Sequence, residues 1–147
     1  MKKNLATSLV VVMLSAVGSA HAAVTLIKPA EAKLPAASGS LATRGITRGP
    51  AIKQLSPSPD EAVTSPLNLK VSFEARGGAK IDPASVKAVY LKSPSVELTD
   101  RVKPAVSDSG IELNDAVVPA GEHQISISVT DSEGRQSNSV ITLKVAK

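Results

Sequence analysis

The residues best equipped for chemistry lie in VPAGEHQISISVTDSEGRQ, residues 118 to 136, which holds His123 together with Glu122, Asp131 and Glu133. An imidazole can act as a general base, bind a transition metal, or join a serine and an aspartate in an acyl-transfer triad. A transition-metal site needs three or four good ligands, and this chain has only His21 and His123 and no cysteine. Asp131 lies eight residues beyond His123 on what reads as a single strand. That is a separation of about 26 Å at ~3.3 Å per residue, so the two cannot meet within that strand. His123 is therefore expected to be a structural residue capping an edge of the fold.

The other carboxylates point the same way. Asp60, Glu61, Asp82, Asp108, Asp115, Asp131 and Glu133 fall in predicted loops, where a calcium site would need six to eight oxygens. No D-x-D-x-D-G run is present, and Asp82 and Asp131 are expected as turn formers. Phe73 and Tyr90 are the only aromatic residues, and both have core-facing parity. Sugar and single-stranded nucleic acid recognition lean on exposed aromatic stacking, so neither is expected. RGGAK, residues 76 to 80, lacks the spacing and the following helix of a phosphate loop. No catalytic, cofactor-binding or metal-ligating residue is assigned, no cofactor is expected, and the chain is not read as an enzyme.

The elements that would position these residues follow a leader. Lys2 and Lys3, the apolar run from Leu9 to Val17 broken only by Ser15, and Ala20-His21-Ala22 have the form of a secretory signal peptide over residues 1–22. The apolar run is too short to span a bilayer comfortably. Cleavage after Ala22 leaves 15 basic and 13 acidic residues, because Lys2 and Lys3 are lost from 17 and 13. A periplasmic or secreted location is expected, with no lipid anchor and no disulfide, since cysteine is absent.

Residues 23–49 are rich in Ala, Pro, Gly and Ser and basic, and they read as a flexible tether that could lean weakly on an anionic envelope surface. Within them VTLI could pair as a short strand, and TRGITRG repeats Thr-Arg-Gly. From residue 50 the period changes to 2. LNLKVSFEA, residues 67–75, puts Leu67, Leu69, Val71, Phe73 and Ala75 on one face. SVKAVYLKS, GIELNDAVVPA, GEHQISISVTD and SVITLKVAK supply further strands, and Asp131 to Gly134 make a hairpin loop. About seven strands over residues 50–147 and no helical stripe predict an all-β, two-sheet sandwich.

AVTSPLNLKVSF, KIDPASVKAVYL and VPAGEHQISISVTDSEGR with ITLKV resemble bacterial immunoglobulin-like domains of exported and cell-surface proteins, over residues 50–147. The resemblance implies an immunoglobulin-like sandwich, with Tyr90 in place of the tryptophan of antibody-type domains. It implies little about activity, because the scaffold serves many roles. The expected function is protein–protein contact in the envelope, with an unidentified protein partner, no nucleic acid and no membrane span after cleavage. The alternative is a periplasmic metal or small-ligand carrier. HAAVTLIKPAEA resembles the start of copper carriers of the CopC type if cleavage falls before His21, but the Asp-Gly-His segment of those proteins is missing.

Overall fold

The computed structural model describes residues 22–39 and 48–147. Residues 1–21 of the expected signal peptide and residues 43–47 of the Thr-Arg-Gly repeat lie outside the described residues. The elements in chain order are β1 (Val24–Thr25), α1 (Pro29–Ala32), β2 (Ala51–Ser56), β3 (Ala62–Val63), β4 (Leu67–Glu74), β5 (Ile81–Tyr90), β6 (Val96–Glu97) and α2 (Thr99–Val102). A 3-10 turn (Lys103–Ala105) follows, then β7 (Val106–Ser107), β8 (Gly110–Val117), β9 (Gly121–Asp131) and β10 (Gln136–Val145). One sheet runs β1-β8-β4-β2 with β7 also on β8; the other runs β3-β10-β9-β5-β6. This is the expected all-β sandwich. Setting aside the short β1, β3 and β6, the order is that of an immunoglobulin-type fold: β2-β4-β8-β7 correspond to strands A-B-E-D, and β5, β9 and β10 to C, F and G.

The period-2 pattern builds the core directly. In β4, Leu67, Leu69, Val71 and Phe73 are buried while Asn68, Lys70 and Glu74 are exposed. Ile125, Ile127 and Val129 of β9 and Ile141, Leu143 and Val145 of β10 are buried, and Ile125 pairs with Ile141 in the hairpin register. Val86, Ala88 and Tyr90 of β5 face inward with them. The structure moves the start of β5 to Ile81, ahead of the expected Ser85. The Asp82–Pro83 turn is absorbed as a register shift against β9 between Asp82 and Lys87, with the Ser85 hydroxyl accepting from Thr130 N–H. Gly110 turns β7 into β8 at φ +148, where a Cβ would stand 1.9 Å from the Val71 carbonyl oxygen, so no other residue fits without moving β4.

The segment expected as a tether behaves differently over residues 24–37. β1 pairs parallel with β8, Val24 opposite Ala116 and Thr25 opposite Val117. Leu26 and Ile27 are completely buried. The chain then turns through α1 and reaches the far end of the other sheet, where Ala36 bridges Lys92 and Ser93 N–H donates to Pro35 C=O. Residues 24–37 thus form a strap that crosses from one sheet to the other. Composition pointed to a linker; two adjacent apolar side chains with nowhere else to hide decided the packing.

One ion pair fastens the strap. The Arg101 guanidinium, on α2, donates to both carboxylate oxygens of Glu31 at 2.7 Å and to the Leu26 carbonyl at 2.9 Å. Such a bidentate, charge-assisted contact has a fixed geometry, and both side chains are mostly buried. Replacement of Leu26 by alanine is expected to cost about 2–5 kcal/mol of unfolding free energy, the range for a well-packed buried leucine. Urea denaturation measures it, and an unchanged midpoint would mean that the strap does not pack.

Candidate functional site

His123 enters the fold at the start of β9, where its strand parity points the ring inward beside Tyr90 of β5. The ring is buried, and both nitrogens are occupied. Nε2 lies 2.7 Å from the Pro119 carbonyl oxygen, and Nδ1 lies 2.7 Å from the Tyr90 hydroxyl. A carbonyl only accepts, so Nε2 carries the proton, and Nδ1 of the neutral ring accepts from the Tyr90 O–H. The rings are tilted at 54° with centroids 5.7 Å apart. Burial, together with the nearby Lys92 charge, holds the imidazole below its ordinary pKa, against the opposing pull of the Pro119 bond. Burial, then the Glu31 charge, raises the Tyr90 hydroxyl. This is a neutral ring spent on internal bonds. It sits within the core rather than on its edge, because the Pro119 carbonyl and the tyrosine hydroxyl together satisfy it there.

Asp131 ends β9 and is likewise consumed. Its Oδ1 accepts from the N–H groups of Glu133 and Arg135, and its Oδ2 from Arg135 Nε at 2.8 Å. Burial alone would raise this carboxyl; the Arg135 amide and guanidinium and the Glu133 amide outweigh it and hold the pKa below the usual range. Arg135 also donates to the Arg76 carbonyl and pairs with Glu133, so the hairpin loop is tied to the β4–β5 connection. Asp82 makes the expected local turn, accepting from Ala84 N–H at 3.0 Å.

The remaining expected carboxylates do not gather. Asp60 stands 3.6 Å from Lys144 on the surface, and Asp108 sits in the β7–β8 turn. Asp115, expected in a loop, lies within β8 at φ +54, where β4 and β8 shift register and the Asn68 side chain accepts its N–H. His123 and Asp131 lie at opposite ends of β9. Among the described residues no three His, Asp or Glu side chains converge in a way that could hold a metal ion. One surface depression is lined by Ser56, Pro57, Ala62, Val63, Thr64, Leu67 and Asn68, with no ionisable group among them.

What the fold presents outward is strand edges, and these are covered in three ways. On β10, the Gln54 side chain imitates a neighbouring peptide: its amide donates to Thr142 C=O and accepts from Thr142 N–H. On β5, Thr99 Oγ1 accepts from Ala88 N–H. On β8, β7 pairs with one end and β1 with the other. Such short pieces blunt edges that would otherwise recruit foreign strands. Gln54, Thr99, Glu31 and Arg101 were not singled out from the sequence, where each looks like an ordinary solvated residue; their partners lie 88, 11 and 70 positions away.

No family model, no curated protein and no solved structure matches this chain.

The histidine geometry fixes a pH dependence. The unfolded imidazole titrates near 6.5 and the folded one lower, so the unfolded state binds more protons over that interval and stability falls as pH drops below about 6.5. Glu31, drawn from 4.5 to about 2 chiefly by the Arg101 hydrogen bonds against an opposing burial effect, adds a second loss from pH 4.5 downward. Unfolding free energy should therefore decline between pH 7 and 5 in the native chain and flatten there in His123→Gln, as urea titrations at each pH would show. Tyr90→Phe should cost about 1–3 kcal/mol at pH 7.5, because Nδ1 loses its donor in a buried site.

Proposed function

We propose that this chain is an exported, non-enzymatic immunoglobulin-like module of the bacterial periplasm or envelope that acts by protein–protein contact. The observation that carries the proposal is the inward use of its polar chemistry: both nitrogens of His123 and both carboxylate oxygens of Asp131 are committed to bonds within the domain. What remains for recognition is shape, surface charge and any strand edge that a short covering piece vacates, and strand addition at such an edge is a general route to protein contact.

Two details support kinship with immunoglobulin-like domains. The strand order follows that fold. His123, at the start of β9, bonds back to the carbonyl of Pro119 just upstream, as the strand-F tyrosine does at the corner of such sandwiches. Export is supported by the N-terminal sequence. The Ala22–Ala23 bond is exposed, and the sheet begins at Val24, so cleavage there would leave β1 whole. Among the described residues no helix is long and apolar enough to cross a membrane.

Cell fractionation with N-terminal sequencing tests export. The expected product is a periplasmic or secreted chain beginning at Ala23; a full-length cytoplasmic chain would contradict it. Metal analysis of that product, with stoichiometric copper as the contrary result, separates the contact module from a metal carrier. In-cell photo-crosslinking from the exposed faces of the domain reads contact directly, and a chain that crosslinks to no protein would remove the proposal.

A further inference from the structure

We propose that the strap, residues 24–37, exchanges between two copies of this chain, Leu26 and Ile27 of one copy seating beside β8 of the other. The inference rests on the contact function proposed above and names the partner as a second copy.

The first observation concerns which edge can be vacated. β3, β6 and β7 each have described chain on both sides, and Gln54 and Thr99 cover their edges from within elements fixed at both ends. β1 alone precedes every other described element. It can leave β8 without dragging another described strand from its N-terminal side, and β8 then offers an open edge and the space that the Leu26 and Ile27 side chains filled.

The second observation is connectivity. The bonds that fix the strap run to Leu91, Ser93, Arg101 and Val117, all late in the chain. The next element, β2, stands at the opposite edge of the same sheet, separated from β1 by β8 and β4. The strap ends with Ala37 bonded to Leu91, which itself bonds Gln124 of β9. The chain is described again near Gly49, which lies against Ser137, the partner of Val129 on β9. Five residues along β9 and about four strand spacings across put those points about 25 Å apart. The intervening stretch, residues 38–48, can reach about 40 Å when extended. The connection is about one and a half times as long as the closed arrangement requires, and the surplus lets a strap reach a neighbouring copy.

The third observation is that the groove fits this occupant. Arg101 reads the Leu26 carbonyl and the Glu31 carboxylate at a fixed spacing, beside two apolar side chains and one stretch of parallel pairing. A second copy supplies all of these unchanged. Exchanged and closed forms then differ mainly in how the connection is held, which makes pairing a matter of concentration.

The absence of cysteine gives a clean test. Thr25 is exposed, Val117 is half-buried, and the two are partners in the β1–β8 register. The exported variants Thr25→Cys and Val117→Cys are mixed, refolded together from urea and oxidised, then read by non-reducing gel and peptide mass mapping. Exchange predicts a 25–117 linked heterodimer, exceeding 25–25 and 117–117 pairs and rising in proportion to protein concentration. A mixture yielding no 25–117 link, with the double variant Thr25→Cys/Val117→Cys closing only an internal bond at every concentration, overturns the proposal. That outcome leaves contact with a different protein to the crosslinking experiment, so the two failures are distinguishable.

Discussion

With no cysteine to staple them, the two sheets stay together only through the apolar faces they share and the polar clasps at the sides where those faces end. The faces come from alternation in β4, β5, β9 and β10 and are built almost wholly of Val, Ile, Leu and Ala, with Tyr90 and Phe73 as the bulky members. The clasps come from single side chains. Gln54 joins the β2 side to β10, Arg101 holds the strap that crosses between sheets, and His123 links Tyr90 of β5 to the Pro119 carbonyl ahead of β9. Each clasp satisfies polar groups that burial would otherwise leave stranded, a debt of about 1–3 kcal/mol per group.

That constraint connects the architecture to the proposed role. A histidine and an aspartate that look like chemistry in the sequence are the parts that a cross-link-free sandwich needs at its corners. Once both ring nitrogens and both carboxylate oxygens are engaged, turning either residue to catalysis or metal binding would mean breaking the bonds that seat it. Protein contact makes no such demand, because exposed faces are available without disturbing the core.

The sheets were legible because alternation is local. β4 reads off nine consecutive residues, and the β9–β10 hairpin off its own turn, with Asp131 and Gly134 where the loop needs a capping carboxylate and a positive φ. The two-residue strands were partly legible: VTLI was expected to pair as a short strand of unknown partner. What stayed hidden was long-range. Glu31 and Arg101 are 70 residues apart, Gln54 and Thr142 are 88 apart, and nothing in a solvated-looking glutamine announces that it will stand in for a peptide group. The composition of residues 23–49 favoured a tether because Ala, Pro, Gly and Ser dominate it, whereas the buried Leu26 and Ile27 and the Glu31–Arg101 pair fix where its first half goes. His123, expected as an edge cap, has both ring nitrogens engaged within the core, and its partner Tyr90 was seen only as a filler of space.

The fold holds the His123 imidazole neutral, in a defined tautomer, for structural ends. A long-range nitrogen–proton NMR spectrum of the ring tests it most directly. The expected spectrum shows a proton on Nε2, an accepting Nδ1, and a ring still mostly neutral at pH 6.5. A ring that is half protonated at that pH, or that exchanges rapidly between tautomers, would mean an exposed, unengaged histidine and no such clasp.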